Sequence, residues 1–291
     1  MTETTFPVIT PDGAAIHMTR WHHIAGKPHL HWAHATGFNA LAYEPLLREL
    51  IPHFNVHSWD MRGHGESRSA GNPKTFGGWN TYYDDLVAVL DQSPEPMWLA
   101  GHSIGATASL AAASRRPDKV KGLILIEPVL LDAQQGWALR LANWFGFADR
   151  IAMAAAAARR RASFASREEA FRNYRSKNAF STWSDEWLNA YVEHGFVAND
   201  KNEVELACSP SWESLTFQHT EPNAARWIRD PECPIHILAA SKGSTFPFTA
   251  HAGIRKRLPN SHIEVIADAT HFLPMEHTEL VVQRIREVAG V

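Results

Sequence analysis

The sequence predicts an α/β fold: a mostly parallel central sheet covered by helices on both faces, with an inserted all-helical segment. Three observations carry this. Short apolar runs alternate with helical stretches through residue 129. From about 130 to 225 only helical segments follow, with no strong strand. Strand–helix alternation then resumes to the end of the chain. Short apolar strands alternating with helices are the pattern of a parallel sheet with crossover helices. The expected division is 1–129 and 226–291 as the core and 130–225 as the insertion.

The first strands read as a hairpin, about 6–10 and 14–21, around Pro11-Asp12-Gly13. "HLHWAH" (29–34) alternates as a strand does, and "YEPLLREL" (43–50) is amphipathic. "NVHSWD" is a strand ending at Asp60, and "TYYDDLVAVLD" (81–91) is a helix. "MWLAGH" (97–102) is a strand, "IGATASLAAASRR" a helix stopped by Pro117, and "KGLILIE" an apolar strand stopped by Pro128. In the insertion, "SREE" at Ser166 gives a capping box, in which Glu169 can reach back. "SDEWLNAYVEHG" begins with acidic residues and ends at Gly195. "PIHILAA", "AGIRKRL", "HIEVIAD" and "ELVVQRIREVA" complete the alternation.

Composition narrows the function. The 291 residues are 45% hydrophobic and 20% charged, ordinary for a globular chain. A net charge of −3 offers no basic footprint for nucleic acid or an anionic membrane. Cys208 and Cys233 stand in different segments, so a reducing, cytoplasmic setting without a disulfide framework is expected. The N-terminus lacks the pattern of a signal peptide. The most apolar run, 151–158, is too short for a bilayer and is bracketed by Arg150 and Arg159. Five of the 17 histidines fall between His22 and His34. Strand alternation and the lack of carboxylate or thiolate neighbours argue against a metal cluster there. Arg159-Arg160-Arg161 reads as a solvated helical face, with an acidic-substrate clamp as the sharper alternative. The tryptophans of the insertion, Trp137, Trp144, Trp183, Trp187 and Trp212, read as packing, with some available to line an apolar cavity.

The strongest chemical signal is "LAGHSIGA". Ser103 stands between a strand and a helix, with Gly101 and Gly105 two positions either side. A serine hydroxyl is a weak nucleophile and must be raised on a tight turn where a base can reach it. The flanking glycines leave room for that turn. The amide of Ile104, at the helix start, is free to bind a developing oxyanion.

With "GHSIG" in that context, the chain resembles the α/β-hydrolase fold family. "HATGF" (34–38) is similar to its oxyanion loop, although Ala35 replaces a common glycine. "DMRGHGES" (60–67) and "DATHFLPME" (268–276) are similar to two further family segments. The resemblance spans about 6–129 and 230–291. It implies His271 as general base and the Thr36 amide as second oxyanion donor. It also implies hydrolysis of a small-molecule carboxylic ester through an acyl-enzyme on Ser103, with neither metal nor organic cofactor. Dehalogenase and epoxide-hydrolase relatives carry a carboxylate where this chain has Ser103.

The acid is the difficulty. The family's usual seat, after "PIHILAA", holds Ser241-Lys242-Gly243-Ser244-Thr245 and no carboxylate. The family's other seat is the end of the preceding strand, where Glu127 stands before Pro128. Glu127 is the expected acid. Asp268 is an alternative, as is a histidine oriented by Ser241 or water. Asp60 and Arg62 read as turn-pinning residues, and Glu276 as a helix N-terminal residue. Other acyl chemistry on the same triad remains open: amide or carbon–carbon hydrolysis, acyl transfer, perhydrolysis. So does a ligand-binding protein without turnover.

Overall fold

The computed structural model describes residues 3–21, 23–224 and 228–291. Strands β1 (Glu3–Ile9) and β2 (Ala15–Trp21) form the N-terminal hairpin, with Gly13 at φ 83° in its turn. β3 (His29–Ala33), helix α1 (Glu44–Leu50), β4 (Asn55–Trp59), α2 (Trp79–Gln92), β5 (Met97–His102), α3 (Ile104–Arg115) and β6 (Val120–Ile126) follow.

The segment after β6 contains α4 (Ala133–Trp144), α5 (Ala152–Ala158), β7 (Ser163–Phe164), α6 (Arg167–Arg175), α7 (Asp185–His194), β8 (Phe196–Ala198), β9 (Val204–Leu206) and α8 (Pro210–Gln218). It is not all-helical, as the sequence had suggested: β7, β9 and β8 form an antiparallel sheet. These strands have two or three residues each, too short to show a period of two. The Asn199 side chain turns the β8–β9 hairpin by accepting from the Lys201 and Glu203 amides at 2.9 and 3.0 Å. Ser166 caps α6 as expected, but Glu169 reaches back to the Ala165 amide (2.7 Å). The expected boundary at 225 and 226 lies outside the described residues.

β10 (Ile235–Ala240), α9 (Phe248–Arg257), β11 (Ser261–Ile266), α10 (Leu273–Glu276) and α11 (Thr278–Ala289) complete the chain. The main sheet has eight strands in the order β1-β2-β4-β3-β5-β6-β10-β11. Its first two pairings are antiparallel and the rest parallel. β6 shows why both faces are covered. Leu123 and Leu125 enter the core shared with α2 and α3, whereas Ile124 and Ile126 enter the core shared with α1 and α11. The turns leaving β5, β6 and β11 therefore open at one edge, outside the carboxyl ends of parallel strands.

Candidate active site

Ser103 leaves β5 at φ 57° and ψ −124° before α3 begins. Such backbone costs a non-glycine residue about 1–3 kcal/mol and must be held by its surroundings. Here the Ser103 amide donates to the Ile126 carbonyl at 3.0 Å. Close packing explains the flanking glycines. A Cβ on Gly105 would lie 2.3 Å from the Ala33 carbonyl oxygen, and one on Gly101 2.7 Å from the backbone of Gly105.

His271, on the loop after β11, places Nε2 3.1 Å from Ser103 Oγ and Nδ1 3.2 Å from Glu127 Oε2. The structure thus brings together three residues widely separated in sequence. Glu127 is fully buried, with φ at 49°. The segment that lacks a carboxylate supplies donors to this one. Ser244 Oγ donates to Oε1 at 2.7 Å, the Ala240 amide to Oε1 at 2.5 Å, and the Thr245 amide to Oε2 at 3.1 Å. A buried carboxylate needs such partners. Asp268 points away, is 85% exposed and pairs with Lys242 at 2.8 Å. Ser241 is exposed and has no bond to His271.

Thr36 lines the same cavity as Ser103, and Ile104 opens α3 with its side chain buried. His34 fixes the Thr36 loop. Its Nδ1–H donates to the Ala35 carbonyl and its Nε2 accepts from the Met61 amide, both at 2.8 Å. Burial holds the His34 pKa well below the ordinary histidine value, so the ring is neutral, as this tautomer requires.

His102 was not singled out from the sequence. Its ring is fully buried beneath the site. Nε2–H donates to the His271 carbonyl at 2.7 Å, which leaves Nδ1 to accept from the Tyr43 hydroxyl, also at 2.7 Å. Tyr43 in turn accepts from the Ala35 amide at 3.3 Å. Burial, with the neighbouring His271 second, depresses the His102 pKa and keeps this ring neutral too. A bonded path therefore runs from the Thr36 loop to the His271 backbone. The only sequence signal was a histidine directly before the elbow serine.

The cavity at Ser103 holds about 490 Å³. Phe38, Phe180, Phe217 and Phe272 form its apolar walls, and Arg160, Lys177, Glu213, Tyr174 and Tyr191 line it as well. Residues of the 130–225 stretch and of the rest of the chain thus share the pocket. None of the tryptophans expected to be available for it lines it: Trp183, Trp187 and Trp212 are buried elsewhere, and Trp137 and Trp144 are exposed. Arg160 also departs from expectation. The triplet lies past the end of α5, and Arg160 turns inward to Glu213 at 2.5 Å. Glu276 closes the single turn of α10 and directly precedes His277, the N-cap of α11. It clamps the His271 loop by accepting from the Thr270 amide and hydroxyl at 2.7 Å.

Asp60 accepts from the Ala40 and Glu66 amides, both at 2.8 Å, while Arg62 pairs with Asp12 at 2.7 Å and Asp85 at 2.6 Å. Asp60 pins its own turn through the Glu66 amide, as expected, whereas Arg62 ties that turn to distant carboxylates in the β1–β2 turn and α2 instead of bonding locally. Among the described residues, the group of side chains placed to hold a metal is His236, His262 and Glu264, not the N-terminal histidines. Its carboxylate is already paired with Arg284 at 2.8 and 2.9 Å. His22 lies outside the described residues.

The sequence model of the alpha/beta hydrolase fold matches residues 32–278, and the chain belongs to that family. It is 31% identical over 106 residues to a pimeloyl-[acyl-carrier protein] methyl ester esterase of Aliivibrio salmonicida, covering 36% of this chain and 38% of that one. It is 34% identical over 95 residues to a 2-(acetamidomethylene)succinate hydrolase of Mesorhizobium japonicum, covering 32% and 33%. The two matches thus span 38% and 33% of these relatives' own lengths. Among solved structures, an E-2-(acetamidomethylene)succinate hydrolase superposes with TM-score 0.79 at 19% identity, over 100% of both chains. An M. tuberculosis esterase superposes with TM-score 0.74 at 18% identity, over 100% of this chain and 93% of that one. Among the described residues no helix is long and apolar enough to cross a membrane.

Proposed function

We propose that this chain is a serine hydrolase that cleaves a small-molecule carboxylic ester through an acyl-enzyme on Ser103. The observation that carries the reading is the hydrogen-bonded series Ser103 Oγ, His271, Glu127, opening into an apolar cavity. His271 takes the Ser103 proton on Nε2 as the oxygen attacks the ester carbonyl. Glu127 holds Nδ1–H and stabilises the imidazolium. The Ile104 and Thr36 amides bind the oxyanion. The protonated His271 delivers its proton to the departing alcohol. Water, deprotonated by the same ring, then attacks the acyl-enzyme and releases the acid. The segment 130–225 serves as a cap that completes the substrate pocket.

The esterase relative supports ester cleavage, and the hydrolase relative favours a second reading, other acyl chemistry on the same three residues. The reading without turnover rested on an empty acid seat, and the 3.2 Å contact of Glu127 with His271 weighs against it. The test is rapid-mixing kinetics on p-nitrophenyl esters. A burst of nitrophenol stoichiometric with enzyme, followed by slower turnover, is expected, with both phases lost in Ser103→Ala. Turnover that survives this substitution overturns the reading.

A further inference from the structure

Arg160 is the unexpected charge in this pocket. Its side chain is 18% exposed and that of its partner Glu213 is 8% exposed. Nη1 donates to Glu213 at 2.5 Å, while Nη2 donates to the Tyr174 and Tyr191 hydroxyls at 2.8 and 2.6 Å. A guanidinium carries five N–H donors. Three are used. Among the described residues, the Nε–H and the second Nη1 hydrogen have no acceptor. Tyr174 and Tyr191 each accept from Arg160, and their own O–H hydrogens likewise meet no acceptor.

Lys177 adds a second cation. It lines the same cavity, with Nζ 4.5 Å from the centre of the Tyr174 ring, and no carboxylate pairs with it among the described residues. Desolvation and then the Arg160 charge hold its pKa below the ordinary lysine value. Two cations therefore face one carboxylate beside four N–H and O–H groups without acceptors, in a pocket whose walls include four phenylalanines. Donors left without acceptors at the wall of a cavity are available to an incoming acceptor, and a charge-assisted set binds a carboxylate most strongly.

The cluster also sits against the oxyanion loop. Gly37, next to Thr36, has φ 79°, and a Cβ there would lie 2.7 Å from Glu213 Oε1 and 3.3 Å from Arg160 Nη1. The charged group is thus part of the cavity into which Ser103 opens.

We propose that Arg160, Lys177, Tyr174 and Tyr191 form a subsite for a carboxylate, so that the substrate is an ester bearing a second, anionic carboxyl group. The inference rests on Ser103 as the reacting nucleophile. Glu213 neutralises part of the Arg160 charge and keeps the guanidinium in place while the pocket is empty. The incoming carboxylate takes the spare N–H and O–H donors and balances Lys177.

Two measurements test this. The first compares kcat/KM for monomethyl esters of succinate, glutarate and adipate with methyl esters of the monocarboxylic acids of equal length. The wild type should favour at least one half-ester by about 10- to 100-fold, the range of a charge-assisted hydrogen-bond set. Lys177→Gln should reduce this ratio. The double variant Arg160→Met/Glu213→Gln, which leaves no uncompensated buried charge, should bring it close to one. The second measures binding of free succinate, glutarate and adipate to Ser103→Ala by calorimetry, with and without Lys177→Gln. Binding weakened by Lys177→Gln is expected. Turnover of both ester classes at equal efficiency overturns the subsite and leaves ester chemistry standing. Absence of diacid binding also overturns the subsite. Diacid binding without turnover of any ester overturns the ester chemistry and leaves the subsite.

Discussion

His102 and His271 are joined by a 2.7 Å hydrogen bond from the buried imidazole of the first to the backbone carbonyl of the second. The bond holds the His271 loop from beneath, and the Tyr43 hydroxyl fixes the donating tautomer from the other side. His102→Phe should lower kcat by about 10- to 100-fold with a small change in KM, because a displacement near 1 Å is enough for such a loss. His102→Gln, which can still donate, should recover part of it. Equal kcat in wild type and His102→Phe contradicts the positioning role.

Glu127 and Asp268 make a direct comparison. Glu127→Gln should cost about 100- to 10,000-fold in kcat, since an amide can present its donor to Nδ1 and favour the wrong tautomer. Asp268→Asn, in an exposed surface pair, should change kcat by less than about threefold. Steady-state kinetics on one activated ester decides between them. A severe Asp268→Asn beside a mild Glu127→Gln reverses the assignment.

Buried histidines should weaken the fold as the pH falls. Burial lowers the pKa of His64 to about 4 and those of His31 and His57 to about 3, from 6.5. Below about pH 6.5 the unfolded chain binds protons that the native state refuses, so stability falls as pH falls. Each group contributes about 1.4 kcal/mol per pH unit until the folded value is reached. The urea midpoint should therefore drop steadily between pH 7 and pH 5 with little change in slope. Equal midpoints at both contradict this account.

The elbow tolerates no side chain at Gly105. Gly105→Ala should destabilise the protein by about 1–3 kcal/mol through overpacking against the Ala33 carbonyl, and should reduce ester turnover more than bulk unfolding explains. Thermal melting beside activity at low temperature separates the two effects.

The elements were legible because periodicity is local. "KGLILIE" and "TYYDDLVAVLD" each carry their own signal, and they appear as β6 and part of α2. Ser103 was legible for the same reason, as a five-residue turn. What escaped depended on partners distant in the chain. Arg160 reads as a surface cation until Tyr174, Tyr191 and Glu213 close on it from 14, 31 and 53 residues away. Glu127 could be placed only as the residue after a buried strand, because the donors that make its burial tolerable, Ser244 and Thr245, come 117 and 118 residues later. The strands β7, β8 and β9 were too short for any alternation to register.

Mass spectrometry after treatment with a fluorophosphonate tests most directly whether the Ser103 hydroxyl is activated by the His271 imidazole. One phosphonyl adduct per chain is predicted, mapping to the peptide containing Ser103, absent from Ser103→Ala and strongly slowed in His271→Ala. An adduct on another residue, or undiminished labelling of Ser103→Ala, contradicts the account.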